Sequence, residues 1–242
     1  MNAWDCWEPP WERRAPARHE AHEAYTSRAG ARGSQRSRGY LPHFDAPDAI
    51  QHITYRLADS LPKEALARIE QALVTLPTEK QDAEQRRRIE AYLDAGHGSC
   101  VLRQPEAAQI VIETWLRFDD ERYRLLAFVV MPNHCHVLIE CIGACPLWKI
   151  VNSWKSYTAR WINTHVLGDE SRAGARRSQR GSQRESQALW QRDYWDRYIR
   201  DERHFHAAMA YIENNPVVAG LAKAPENWPW SSASIGVWDS SI

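Results

Sequence analysis

The 242-residue chain has no apolar run reaching the roughly eighteen residues that a membrane-spanning helix needs. Its first residues, "MNAWDCWEPPWERR", are acidic, aromatic and interrupted by proline, where a secretory leader would have a basic start and an apolar stretch. No membrane association is expected, and a cytoplasmic location is. The five cysteines, Cys6, Cys100, Cys135, Cys141 and Cys145, are odd in number and scattered, which argues for free thiols over a disulfide framework. Net charge is also missing, since 31 Lys and Arg balance 31 Asp and Glu. That excludes a surface coated uniformly for nucleic acid and leaves only a local basic face.

Residues 1–46 lack any period of 2 or 3.6 and are rich in Gly, Ser, Arg and Pro, so they are expected to form a flexible basic tail. Part of this text returns later: "SRAGARGSQR" begins at Ser27 and "SRAGARRSQR" at Ser171, differing only at Gly33 against Arg177. The unit buries nothing and its period is too long for a solenoid, so both copies are read as flexible basic segments. The second lies in an arginine-rich insertion at 168–187.

What is present is 43% hydrophobic residues, enough for a core, and twelve tryptophans, several beside Arg or Lys. "IQHITYRL", Ile50 to Leu57, alternates as a strand does. A helix opens at Pro62, and a second, charged and more solvated, spans about Glu79 to Asp94 and ends by Gly96. "PEAAQIVIETWLRF" is a helix opened by Pro105, and "RYRLLAFVVM" and "HCHVLIEC" are apolar strands joined by a Pro-Asn turn. Pro146 to Val166 reads as a long amphipathic helix with Leu147, Ile150, Val151, Trp154, Thr158, Trp161 and Ile162 near one side. A short aromatic strand or turn, "LWQRDYWDRYI", precedes a helix from Asp201 that is expected to stop before Pro216. The sum predicts an α+β, ferredoxin-like (RRM-like) split βαβ fold, one antiparallel sheet with helices on its faces.

In "MPNHCHVLIE", strand alternation points His134 and His136 from one face and Cys135 from the other. Two imidazoles side by side suit a divalent ion, and a structural histidine pair suits the same pattern. A zinc reading adds Cys141 and Cys145, at a spacing that is not a standard zinc framework. On the last helix Tyr211 and Asn215 are four residues apart on one face, with His204 seven residues before Tyr211 on the same side.

Together "MPNHCHVLIE", "WKSYTARWIN", "LWQRDYWDRYIRDE", "YIENNPVVAGL" and "WPWSSA" resemble the REP-associated tyrosine transposases, IS200/IS605-like members of the HUH endonuclease superfamily, over about Ile50 to Ala233. The resemblance implies the HUH fold for a catalytic domain at 47–236. His134 and His136 match the paired histidines, with Cys135 in a slot usually held by a bulky apolar residue. Tyr211 matches the nucleophile and Asn215 the group that helps hold the metal, Mg²⁺ or Mn²⁺. The implied activity is cleavage and strand transfer of single-stranded DNA at hairpin-forming repetitive extragenic palindromes, through a 5′-phosphotyrosine. A phenol with a pKa near 10 needs help losing its proton, for which the metal or a bound water is the first candidate and His204 the second.

The expected partner is a single-stranded DNA hairpin, placing the protein with the nucleoid when bound, as monomer or homodimer. Lys155, Arg160, Arg197 and Arg200 are candidate DNA contacts, with Trp154 or Trp195 as stacking surfaces. The alternatives are a noncatalytic, domesticated hairpin-binding module and a zinc-stabilised protein with no nucleic-acid role. The charged helix around Glu79 to Asp94 departs from the family pattern and is expected to leave the chemistry alone.

Overall fold

The computed structural model describes residues 34–38, 41–45, 49–143, 145–168 and 188–234. The expectations for the rest of the tail and for nearly all of the arginine-rich insertion lie outside these residues. Within the stretch expected to lack elements, strands β1 (Ser34–Arg38) and β2 (Leu41–Asp45) pair antiparallel from Ser34↔Asp45 to Arg38↔Leu41. A hairpin ladder is made by the backbone and needs no apolar alternation. The Gly-Tyr pair at 39–40 was a legible turn signal.

The main body runs β3 (Ile50–Arg56), α1 (Lys63–Gln71), α2 (Thr78–Asp94), α3 (Pro105–Leu116), β4 (Tyr123–Val130), β5 (His134–Cys141), α4 (Leu147–His165), β6 (Trp195–Tyr198) and α5 (Glu202–Val218). Its sheet has the order β4-β5-β3-β6 with every neighbour antiparallel. Counting these four strands along the chain, the sheet reads second, third, first, fourth, which is the split βαβ arrangement expected from the sequence.

Alternation divides the strands between two cores. Ile53, Tyr55, Leu57, Cys135, Val137 and Ile139 face α3 and α4, where Trp115 and Trp154 are both fully buried. Each large ring removes roughly 150–250 Å² from water, so this face dominates the hydrophobic stabilisation. Trp154 donates to the Tyr123 hydroxyl at 3.0 Å, and that hydroxyl donates to Trp115 O at 2.6 Å, so the polar tips of Trp154 and Tyr123 are satisfied. Ile50, Ala127, Val129, Met131 and Leu138 face the other way, against Phe205, Ala208 and Ile212 of α5. The two histidines share this second face. A third, small core of Leu61, Ala65, Ile89 and Leu93 binds α1 to α2.

The last helix differs from expectation. It does not stop before Pro216 but carries that buried proline inside it and ends two residues later. Proline removes one intrahelical donor without preventing later N–H groups from bonding back across it. The stop is at Gly220, in the left-handed region at φ 70°, where Gly220 N donates to Val217 O at 3.0 Å and Leu221 N to Pro216 O at 2.8 Å.

Candidate active site

The site lies where α5 crosses the middle of the sheet. His134 and His136 sit in the central strand β5, each 1% exposed, with ring centroids 4.9 Å apart and planes at 90°. The ring of Tyr211 packs edge-on to His136 at 5.3 Å and also meets His52 of β3 at 5.7 Å. Asn215, one turn on, is buried, and the charge of Glu90 acts on the Tyr211 hydroxyl. Tyr211, Asn215, His134 and His136 thus lie on one face of the sheet, beneath α5.

Second partners orient the imidazoles. Asn133 Nδ2 donates to Leu93 O at 3.1 Å and to His97 O at 2.8 Å, so its Oδ1 is the acceptor and His134 Nδ1–H donates to it at 2.7 Å. His134 Nε2 therefore carries a lone pair, and it faces Asp94 Oδ1 at 3.7 Å. His136 Nδ1 bonds Thr54 Oγ1 at 2.9 Å, with His52 Nε2 at 3.4 Å. Burial lowers His134 to about 3 and holds His136 well below the usual histidine range, the neighbouring His134 and His52 adding to the effect. His52 is lowered to about 4 by burial first, then by Arg197 and His204. All three rings are neutral near pH 7, the form in which imidazole donates a lone pair.

The same site has acidic walls. Asp94 is raised to about 6 by burial and by the charge of Glu90, and Tyr211 is pushed well above an ordinary phenol by burial, then by Glu90 and Asp94. Three buried acceptors have no hydrogen-bond partner: His136 Nε2, Asn215 Oδ1 and Asp94 Oδ1. Buried polar groups are nearly always paired, and two imidazole nitrogens with an amide oxygen form the donor set of an Mn²⁺ or Mg²⁺ ion. The residues present fit such an ion. Among the described residues no group of three His, Cys, Asp or Glu side chains is arranged to hold a metal.

Other expected residues are placed differently. Lys155 is only 8% exposed, and its ammonium donates to Arg192 O at 2.7 Å. Trp154 is core and presents no stacking face, whereas Trp195 is half-buried and packs on the small core around Ile89. Arg160 is exposed, but on α4, across the sheet from the histidines. Arg197 and Arg200 are exposed, and Arg197 is the cross-strand partner of His52. His204 Nδ1 accepts from Arg200 N at 3.3 Å. Cys135 packs inward as expected, and Cys141 joins it in the core beneath α4, with Cys145 against that core. The zinc reading therefore separates its thiols from its imidazoles by the thickness of the sheet.

Sequence reasoning missed His52, Thr54, Asn133, Glu90 and Asp94. The signal for the first two was present, since alternation in "IQHITYRL" sets His52 and Thr54 opposite the apolar Ile53, Tyr55 and Leu57.

Residues 106–215 match the family model described as "Transposase IS200 like". A REP-associated tyrosine transposase of Escherichia coli (strain K12) is 25% identical over 118 residues, covering 47% of this chain and 56% of that protein. An uncharacterised Haemophilus influenzae protein is 33% identical over 102 residues, covering 39% of this chain and 55% of its own length. The chain thus spans little more than half the length of these curated relatives. A solved structure of a REP-associated tyrosine transposase bound to a REP hairpin aligns over 85% of this chain and 86% of its own, at TM-score 0.49 and 17% identity. The matched residues, 106–215, hold both histidines, Tyr211 and Asn215, and over this part the chain is similar to the IS200-like transposases and to their REP-associated tyrosine members.

Proposed function

We propose that this protein is a divalent-ion-dependent, single-stranded DNA endonuclease and strand transferase acting at hairpin-forming repeats through a 5′-phosphotyrosine on Tyr211. The observation that carries the reading is the Tyr211 ring, 5.3 Å from that of His136, beside two buried acceptors without partners, His136 Nε2 and Asn215 Oδ1.

His134, His136 and Asn215 would hold Mg²⁺ or Mn²⁺. Such an ion polarises the scissile phosphate and stabilises the charge that develops on it. The remaining work falls to the chain. The His134 and His136 rings are fixed through Asn133 and Thr54, so their lone pairs are set in place before any ligand arrives. Tyr211 is fixed by the body of α5 packing on Leu138 and Met131. Its oxygen attacks phosphorus, forms the phosphotyrosine and frees a 3′-OH. Because the ester conserves the bond energy, the 3′-OH of the same or another strand reverses the step, giving transfer. A tyrosine on a helix laid over a small sheet reaches an unpaired strand more readily than a stacked duplex. Arg197 and Arg200, exposed at the same edge, are the candidates to contact its backbone.

The test is incubation of labelled, hairpin-bearing single-stranded DNA with protein and Mn²⁺, followed by denaturing electrophoresis. The expected product is a covalent protein–DNA adduct, absent in Tyr211→Phe and in EDTA. An adduct that persists in Tyr211→Phe but vanishes in Tyr194→Phe or Tyr198→Phe would move the nucleophile. Hairpin binding with no adduct under any divalent ion would make this a noncatalytic hairpin-binding module.

A further inference from the structure

On the face that carries the histidines, β3 presents His52, Thr54 and then Arg56, whose cross-strand partner is His134. The histidine pair is therefore flanked by two arginine positions. Arg197 stands opposite His52, and Arg56 comes four residues, about 13 Å, further along β3. At that end Arg56 lines a cavity of about 350 Å³, whose apolar wall includes Leu61 and Leu66 and whose polar groups are Arg56, Lys63, Glu64 and Gln191.

The cations of this cavity are under-used. Both hydrogen bonds of Arg56 leave from Nη1, to Ser60 Oγ at 3.3 Å and to Leu57 O at 3.5 Å. Both are long for a guanidinium, which closes to about 2.7–2.9 Å on an anionic oxygen. Among the described residues its Nε and Nη2 have no partner, and neither Arg56 nor Lys63 forms an ion pair. A planar fork with spare donors beside an ammonium suits the oxygens of a phosphate. Glu64 follows Lys63 in the first turn of α1 and projects about 100° round the helix from it, so the anion belongs on the Arg56 and Lys63 side.

We propose that this cavity is a subsite for one unpaired nucleotide of a DNA strand, its phosphate held by Arg56 and Lys63 and its base laid against Leu61 and Leu66. The inference rests on the proposed function, in which a single strand enters beside Tyr211. A cavity of about 350 Å³ stands at the lower end of small-ligand pockets, with room for one nucleotide and not for a stacked duplex. Gln191 is pinned beside it, since its N donates to Arg56 O at 2.9 Å, and its side-chain amide offers both a donor and an acceptor to a base edge. With one phosphate on Arg56 and another on Arg197, the stretch of strand between them lies over His134 and His136.

The experiment is anisotropy titration of the full chain with Mn²⁺ at several salt concentrations, in a Tyr211→Phe background so that no strand is cut. The probe is a pool of fluorescent hairpin-bearing strands with randomised unpaired flanks, shortened one nucleotide at a time until no flank is left. On long flanks Arg56→Gln and Lys63→Gln should each weaken binding about 10-fold and lower the slope of log affinity against log salt by about 0.7. Both should match the parent once the flank is too short to fill the cavity, and an abasic residue at that position should weaken the parent. Lys63 is exposed, so its variant reports even if Arg56→Gln disturbs the end of β3. Parent affinity and slope in Lys63→Gln and in folded Arg56→Gln overturn the subsite while leaving the wild-type Tyr211 adduct, and with it the proposed function, in place. A loss equal on flanked and flankless hairpins assigns both cations to the stem and also overturns it, as does full affinity with the abasic residue. A parent that binds no strand of any length removes the substrate itself, and the subsite falls with the proposed function.

Discussion

Asn133 Oδ1 accepts the Nδ1–H of His134 at 2.7 Å, while the other end of the same amide holds the last turn of α2. One fully buried side chain thus sets a tautomer and docks a helix. Asn133→Ala strands two carbonyls and an imidazole N–H. With about 1–3 kcal/mol for each buried group left unsatisfied, the denaturant midpoint should fall clearly. Loss of an imidazole's outer partner weakens metal affinity by about 10–100-fold, which Mn²⁺ titration calorimetry reads on the folded variant. Unchanged affinity would show that His134 is oriented by something other than Asn133.

How much of this was legible depends on range. The parity of "HCHVLIE" set His134 and His136 together, and helical spacing set Tyr211 with Asn215, because both rules act within one element. The pairing of Thr54 with His136 joins residues 82 apart, and register over that distance comes from packing that no single strand encodes. Glu90 and Asp94 looked like solvated charge. Their neighbours Ile89 and Leu93, an apolar i, i+4 pair, marked the buried stripe of α2, and each acid borders it by one residue. Pro216 misled because proline weakens a helix without always ending it, and the glycine four residues later was the stronger stop.

Divalent-ion binding should be visible as stability. A ligand at about 100 times its Kd adds about 2.7 kcal/mol to a protein that binds it only when folded. For a chain of this size that is a rise in Tm of about 5–10 °C. Differential scanning fluorimetry with Mn²⁺ should show the rise in wild type and in Cys141→Ser, and its loss in His136→Ala and in EDTA. A zinc-dependent rise that disappears in Cys141→Ser but survives in His136→Ala would restore the thiol site that the sheet geometry excludes.

Lys155 ties α4 to the loop before β6 through Arg192 O, and burial lowers its ammonium to about 8, against a smaller opposing effect of Asp193. The folded value lies below the unfolded one of about 10.4, so between them the unfolded chain holds more protons. Stability from this group is therefore least below pH 8 and rises as the pH climbs through 8 toward 10.4. Urea unfolding of wild type and Lys155→Met at pH 7, 9 and 10 should show the difference between the two moving in favour of wild type as pH increases. A constant difference would mean that the ammonium is solvated in the folded protein.

The strand-facing charge should behave differently from the buried one. Arg197 stands directly across the β3–β6 ladder from His52, is exposed, and lies close enough to Glu90 to lower its carboxyl. On the proposed function, a cation in that position would neutralise a backbone phosphate on a strand entering beside Tyr211. Each phosphate neutralised on a single strand contributes about 0.7 to the slope of log affinity against log salt. Arg197→Ala should weaken binding to a hairpin with an unpaired flank and reduce that slope by about 0.7, whereas Lys155→Met should leave the slope unchanged because its ammonium is engaged by Arg192 O. Anisotropy titrations at several salt concentrations separate the two. Equal slopes for wild type and Arg197→Ala would place the strand elsewhere on the sheet, whatever the fate of Tyr211.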